Sequence, residues 1–151
     1  MQFTDVMPLT GEYEPSPFEF SRSQVERYEA SDGKDGTELE GKPVVIIVSV
    51  GASSGKLRKS PVMRVEHNGV YAAVASKAGA PEHPAWYHNL KKNPLVEVWD
   101  GTTKVDRRAR ETTDAERSLW WDRALEIWPD YDSYAAATDR EIPVFVLEPT
   151  S

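Results

Sequence analysis

The longest continuous apolar run, PVVIIVSV at Pro43–Val50, is β-branched almost throughout, which is the pattern of a strand buried on both faces. IPVFVLEP at Ile142–Pro149 has the same character and predicts a closing strand. Two pairs of shorter segments lie between them. Pro61–Glu66 and Val70–Ser76 flank His67-Asn68-Gly69, whose Asn-Gly step suits a tight hairpin turn with positive φ. Val96–Trp99 and Thr102–Arg110 flank Asp100-Gly101, and the second arm alternates charge, as expected of a strand with one face in solvent.

Helical spacing appears in the remaining segments. Phe18, Val25 and Tyr28 recur behind SPFE, a capping box that places Ser16 at the N-cap, Pro17 at the first helical position and Glu19 at the third. This helix is expected to stop before the Asp32–Gly36 turn. A short helix carrying Trp86 and Leu90 as anchors ends at Asn93-Pro94, with Lys91 and Lys92 at the negative end of its dipole. Thr113–Glu116 is a second capping box, opening a helix to about Ile127. Trp120, Ala124 and Ile127 share one face and Trp121, Leu125 and Trp128 the next, so the Trp pair reads as core. Asp130 opens a short helix bearing Tyr131 and Tyr134, whose spacing suits either a shared cavity or ordinary packing. The order α, three β, α, two β, two α, β predicts a mainly β fold with helices (α+β), a small antiparallel barrel rather than a doubly wound sheet. The expected division is an N-terminal helix and connector over 1–41 and a barrel domain over 42–151.

Composition narrows the chemistry. The 151 residues include no cysteine, which removes disulfides, zinc–thiolate sites and a catalytic thiol. The first residues lack a basic stretch followed by an apolar one, and Val44–Val50 is far short of a bilayer span, so a cytoplasmic protein with no transmembrane segment is expected. The net charge of −7 argues against nucleic acid as a partner. Its distribution is uneven: residues 44–96 carry +5, whereas 1–43 and 97–151 carry −6 each. A basic island in an acidic chain suits a small polyanionic ligand, with a solvated basic face as the plainer alternative.

The histidine-rich stretch SKAGAPEHPAWYHNLKKNP (Ser76–Pro94) does not make a metal site, because His83 and His88 are five apart and no H-E-x-x-H occurs. GASSGKL (Gly51–Leu57) has three residues between its glycines and Leu57 after the lysine, so it is not a nucleotide-hydrolysing phosphate loop. Neither G-x-G-x-x-G nor G-x-S-x-G is present. A Gly-rich turn followed by Lys56, Arg58 and Lys59 remains, as a cradle for phosphate or carboxylate or as a plain basic loop.

Several motifs occur in one order: the Gly-x-x-x-Gly loop with a following Arg, the Ser60-Pro61 step, VASKAGAPEHPAWYHNLKKNP, WPDYDSY and TDREIPVFVLEP. Together, over Pro43–Pro149, they resemble the deazaflavin-dependent nitroreductase family, whose members use coenzyme F420. The resemblance implies a split β-barrel of the FMN-binding type. It implies hydride transfer from reduced F420 to a small electron-poor acceptor: a quinone, an activated alkene (enone) or a nitroaromatic. F420 is a deazaflavin with a phosphate and a glutamate tail, and the resemblance puts Lys56, Arg58 and Lys59 at its phosphate and tail. Ser60, Pro61 and Met63 are then expected along the path to the ring. Val74, Ser76, Lys77 and Gly79 would hold the ring, with Trp86, Tyr87 and Asn89 on the neighbouring helix. Tyr131 and Tyr134 would cover the substrate, and the proton would come from a nearby hydroxyl, Ser76 or Tyr131 being the best placed, or from water. Family members usually carry basic residues where Ala52-Ser53 stand here. The alternatives are an FMN-dependent oxidoreductase on the same barrel and a non-catalytic F420 carrier. Related barrels often form homodimers.

Overall fold

The structure is a computed structural model that describes residue 9 and residues 11–150; the leader reading of the first residues lies outside them. Helix α1 (Glu19–Ala30) precedes β1 (Glu38–Leu39), β2 (Lys42–Val50), β3 (Leu57–Met63), β4 (Val65–His67) and β5 (Val70–Val74). A one-turn 3-10 segment (Lys77–Gly79) leads to α2 (Ala85–Lys92), then β6 (Leu95–Asp100) and β7 (Thr103–Glu111). Helices α3 (Asp114–Ile127) and α4 (Asp130–Ala136) come before β8 (Val144–Pro149). All strand pairs are antiparallel, in the order β1-β2-β6-β7-β8-β5-β4, with β3 added to β2. No helix among the described residues is long and apolar enough to cross a membrane.

The two-sided burial read from PVVIIVSV has a concrete origin, since alternate residues of β2 serve different cores. Val45 and Ile47 point into the sheet's interior with Tyr71, Val98, Phe145 and Leu90 of α2. Ile46 and Val48 face the other way, under Val25 and Tyr28 of α1 and beside Trp99. Each of these side chains contributes about 1.5–3 kcal/mol when fully buried. The Tyr28 hydroxyl donates to the Trp99 carbonyl at 2.8 Å, fastening α1 to β6. A third cluster joins Val44, Met63 and Val74 to Trp120 and Ala124 of α3 and Tyr131 of α4. Trp120 is buried there, whereas Trp121 is only partly covered and donates its indole N–H to Asp132 at 3.0 Å.

Four local expectations are corrected. Helix α1 begins at Glu19 with Phe18 as its N-cap; the Ser16 hydroxyl instead accepts from the Phe18 amide at 3.1 Å, closing a turn upstream of the helix. Thr113 is the N-cap of α3, but no side-chain cap bond forms there. The Glu116 carboxylate is drawn to the Arg110 guanidinium at 2.8 and 2.9 Å. The arm expected at Pro61–Glu66 is two strands, broken at Arg64, whose side chain turns to Asp100 at 2.9 Å. Arg58–Ser60, expected in or beside a loop, lie in β3, which pairs with β2 from Leu57 onward. Asn68 and Gly69 take the positive φ values, 53° and 84°, that the hairpin turn needs.

Candidate functional site

Strand β3 brings the basic residues to the surface because it is an outer strand. Pro61, which has no N–H to donate, is tolerated at such a position. Arg58, Lys59, Ser60 and Pro61 line a groove of about 580 Å³ together with Lys77, Trp86 and Asn89. The groove runs into a second cavity of about 290 Å³ lined by Met63, Val74, Ser76, Lys77, Tyr131 and Tyr134. Ser21, Pro61, Lys77, Pro84 and Trp86 border both spaces. Residues from Arg58 to Tyr134 therefore converge on one continuous depression, basic at one end and aromatic at the other.

Lys56, Gly79 and Tyr87 lie outside both cavities. Lys56 sits just before β3 and pairs with Glu12 at 3.3 Å. Gly79 supports the aromatic chamber from behind: a Cβ there would stand 3.0 Å from the Tyr134 carbonyl oxygen, so the 3-10 turn and α4 approach as backbone to backbone. Tyr87 stacks on His83 with ring centroids 4.0 Å apart and meets Phe145 edge-on.

The turn that carries Ser76 and Lys77 is unusual. Lys77 and Ala78 adopt φ of 47° and 53°, left-handed values that side-chain-bearing residues seldom take, and Gly79 follows at 82°. What holds the turn is Arg140, from the segment before β8. Its guanidinium donates to the carbonyls of Ala80 at 2.9 Å, Ala75 at 3.2 Å and Ser76 at 2.8 Å, and meets His83 Nδ1 at 3.0 Å. With Arg140 donating, Nδ1 is the acceptor and the His83 proton sits on Nε2. Burial and the Arg140 charge both hold His83 below its ordinary pKa, in keeping with that neutral form. Sequence reasoning missed Arg140 because its partners lie 57 to 65 residues away. The TDREIP motif was the one local sign of it.

Loop 51–55 is tied to α2. Asn89 Oδ1 accepts from the Ala52 amide at 2.8 Å, and Lys92 Nζ donates to the Ala52 carbonyl at 2.8 Å. Within the aromatic chamber, the Ser76 and Tyr131 hydroxyls find no hydrogen-bond partner among the described residues, although both residues are buried, at 8% and 5% exposure. Burial pushes the Tyr131 hydroxyl well above its ordinary pKa, so it stays protonated. Tyr134 is committed, accepting from the Trp128 indole at 3.2 Å. A flat ring carrying an anionic extension fits this lining: aromatic walls and two free hydroxyls at one end, Arg58 and Lys59 at the other.

A family model for F420H(2)-dependent quinone reductases matches residues 20–149. An F420H(2)-dependent quinone reductase of Mycobacterium tuberculosis is 32% identical over 124 residues, covering 80% of this chain and 83% of that one. Among solved structures, an F420-H2 dependent reductase is 53% identical over 70% of this chain and 94% of its own, with a TM-score of 0.67. Another, described as a domain-swapped dimer, is 48% identical over 88% of this chain and all of its own, with a TM-score of 0.70. A Listeria innocua protein of the pyridoxamine 5′-phosphate oxidase type, at 12% identity and a TM-score of 0.50, shares the fold alone: the split barrel. The chain belongs to the F420H(2)-dependent quinone reductase family and is an F420H2-dependent reductase.

Proposed function

We propose that this protein reduces quinones, and with them other flat electron-poor acceptors such as enones and nitroaromatics, at the expense of reduced F420. The observation that carries this reading is the continuity of the basic groove with the aromatic chamber, one lining for an anionic tail and another for a stacked ring and acceptor. When bound, reduced F420 supplies a hydride. The chain's own residues bind, orient and donate protons. Arg58 and Lys59 hold the phosphate and tail through charge-assisted hydrogen bonds. Ser60, Pro61, Met63 and Val74 shape the path to the ring, and Trp86 and Lys77 stand at the junction of the two spaces. Asn89 lines the groove and fixes the Ala52 loop. Tyr131 and Tyr134 cover the acceptor, with the free Tyr131 hydroxyl as proton donor and Ser76 beside it. An aromatic chamber that recognises shape more than polar pattern discriminates poorly among flat acceptors, so several classes are expected to react. Homodimer formation is part of the same proposal, supported by the domain-swapped neighbour.

The test is titration with oxidised F420 followed by fluorescence polarisation, then turnover of a quinone, an enone and a nitroaromatic with reduced F420. Saturable binding with turnover of at least the quinone is expected. A yellow protein that retains FMN and ignores F420 overturns the proposal, and binding without turnover of any acceptor makes the chain a carrier.

A further inference from the structure

The basic wall of the groove is not open to solvent on its outer side. Glu12–Glu14 runs parallel to the start of β3, with the Leu57 amide donating to the Glu12 carbonyl at 2.8 Å and the Glu14 amide donating to the Leu57 carbonyl at 2.9 Å. Strand alternation sends both carboxylates to the same side, where Glu12 meets Lys56 at 3.3 Å and Glu14 meets Arg58 at 3.2 Å. Lys59 is paired too, with Glu29 of α1 at 2.9 Å. Each cation that serves an anionic tail thus already has an internal carboxylate. Beyond Glu14, the same segment continues along the groove through Pro15 to Phe18.

We propose that Glu12 and Glu14 are specificity determinants for the tail of the cofactor: they form an acidic strap that any anionic tail must displace or share, and so they set the affinity by the charge the tail carries. This rests on the reading of the groove as the tail site. Two features make the strap displaceable. Glu12 and Glu14 are exposed enough, at 73% and 42%, that their ion pairs contribute little to folding. Tyr13, which lies between them with its ring 4.2 Å from Lys59 Nζ, has a buried hydroxyl with no partner among the described residues, a cost of keeping the strap docked. A ligand with several negative charges offers Arg58 and Lys59 in the groove more than the single carboxylate each now meets, and Lys56 beside it adds to the attraction once Glu12 is drawn off. A neutral ligand gains nothing at these side chains and leaves the strap in place.

The experiment measures Kd for oxidised F420 and for the same deazaflavin without phosphate and glutamates, by polarisation, on the wild-type chain, Glu12→Gln/Glu14→Gln and Arg58→Ala. Removing the two carboxylates should tighten F420 binding by about two- to fivefold per residue. The gain should shrink as salt rises, and affinity for the tail-less deazaflavin should not change. Unchanged or weaker F420 binding by the double variant, with Arg58→Ala still weakening it, overturns the strap and leaves the tail site standing. Equal tightening of both ligands also overturns it, since the effect would then not depend on the tail. If Arg58→Ala leaves F420 binding unchanged as well, the site reading and the strap fall together.

Discussion

Arg140 Nη2 donates to the Ser76 carbonyl at 2.8 Å, joining the segment before β8 to the left-handed turn that walls both cavities. Arg140→Ala removes bonds from a charged donor to three carbonyls, and each such bond is worth about 1.5–3 kcal/mol. A loss of about 3 kcal/mol in urea unfolding is expected, with a rise in Kd for F420. Arg140→Lys keeps the charge without the planar fork. It should therefore recover part of the stability but little of the cofactor affinity, which polarisation would resolve.

Tyr131→Phe keeps the ring and removes the free hydroxyl. F420 affinity should stay within about twofold while kcat for quinone falls by about a hundredfold or more, the range of a lost general acid. Because burial raises the hydroxyl above its ordinary value of 10.0, Tyr131 does not deprotonate on approaching pH 10, and the wild-type rate should show no alkaline limb from it. An unchanged kcat would show that solvent supplies the proton.

His83 gives the turn a pH dependence. Its folded pKa lies below the ordinary 6.5, so the unfolded chain takes up a proton first as pH falls. The stability that neutral His83 contributes is fully present above about pH 6.5 and is lost as pH drops from there to the folded value. Arg140 and His88 act in this direction, and Glu111 opposes them. Thermal unfolding from pH 7.5 to 5 should show the loss, and His83→Gln should flatten that slope.

Gly79→Ala places a methyl 3.0 Å from the Tyr134 carbonyl and 3.2 Å from the Ala137 Cβ, at φ of 82°. The expected cost is about 1–3 kcal/mol. Since relief requires α4 to move outward, KM for the acceptor should rise more than Kd for F420, a split that steady-state kinetics and polarisation would separate.

Strand β2 was legible because six successive residues, Val44–Ser49, are buried, so continuous hydrophobicity reports both faces at once. The helices were legible as spans but not in their caps. Whether the Glu116 carboxylate turns back to the Thr113 amide depends on Arg110 competing for it, a contact with a strand that no local pattern contains. Strand β1 is a two-residue ladder that exists only because Pro43 and Lys42 are there to pair with, and it has no pattern of its own. Of the residues that line the two cavities, Arg58, Ser76, Tyr131 and Tyr134 were singled out through motif order. Arg140 and the Glu12–Glu14 segment were not, since both bond across the fold to residues far away in sequence.

The Ala52 loop is fastened to α2 through the Ala52 main chain, by Asn89 and Lys92, while Ser53 is exposed. Nothing in the attachment depends on which side chains positions 52 and 53 carry. Charge can therefore be added or withdrawn at Ala52 and Ser53 without disturbing the bonds that hold the loop to α2. The loop's surface chemistry is thus decoupled from the bonds that fix its path.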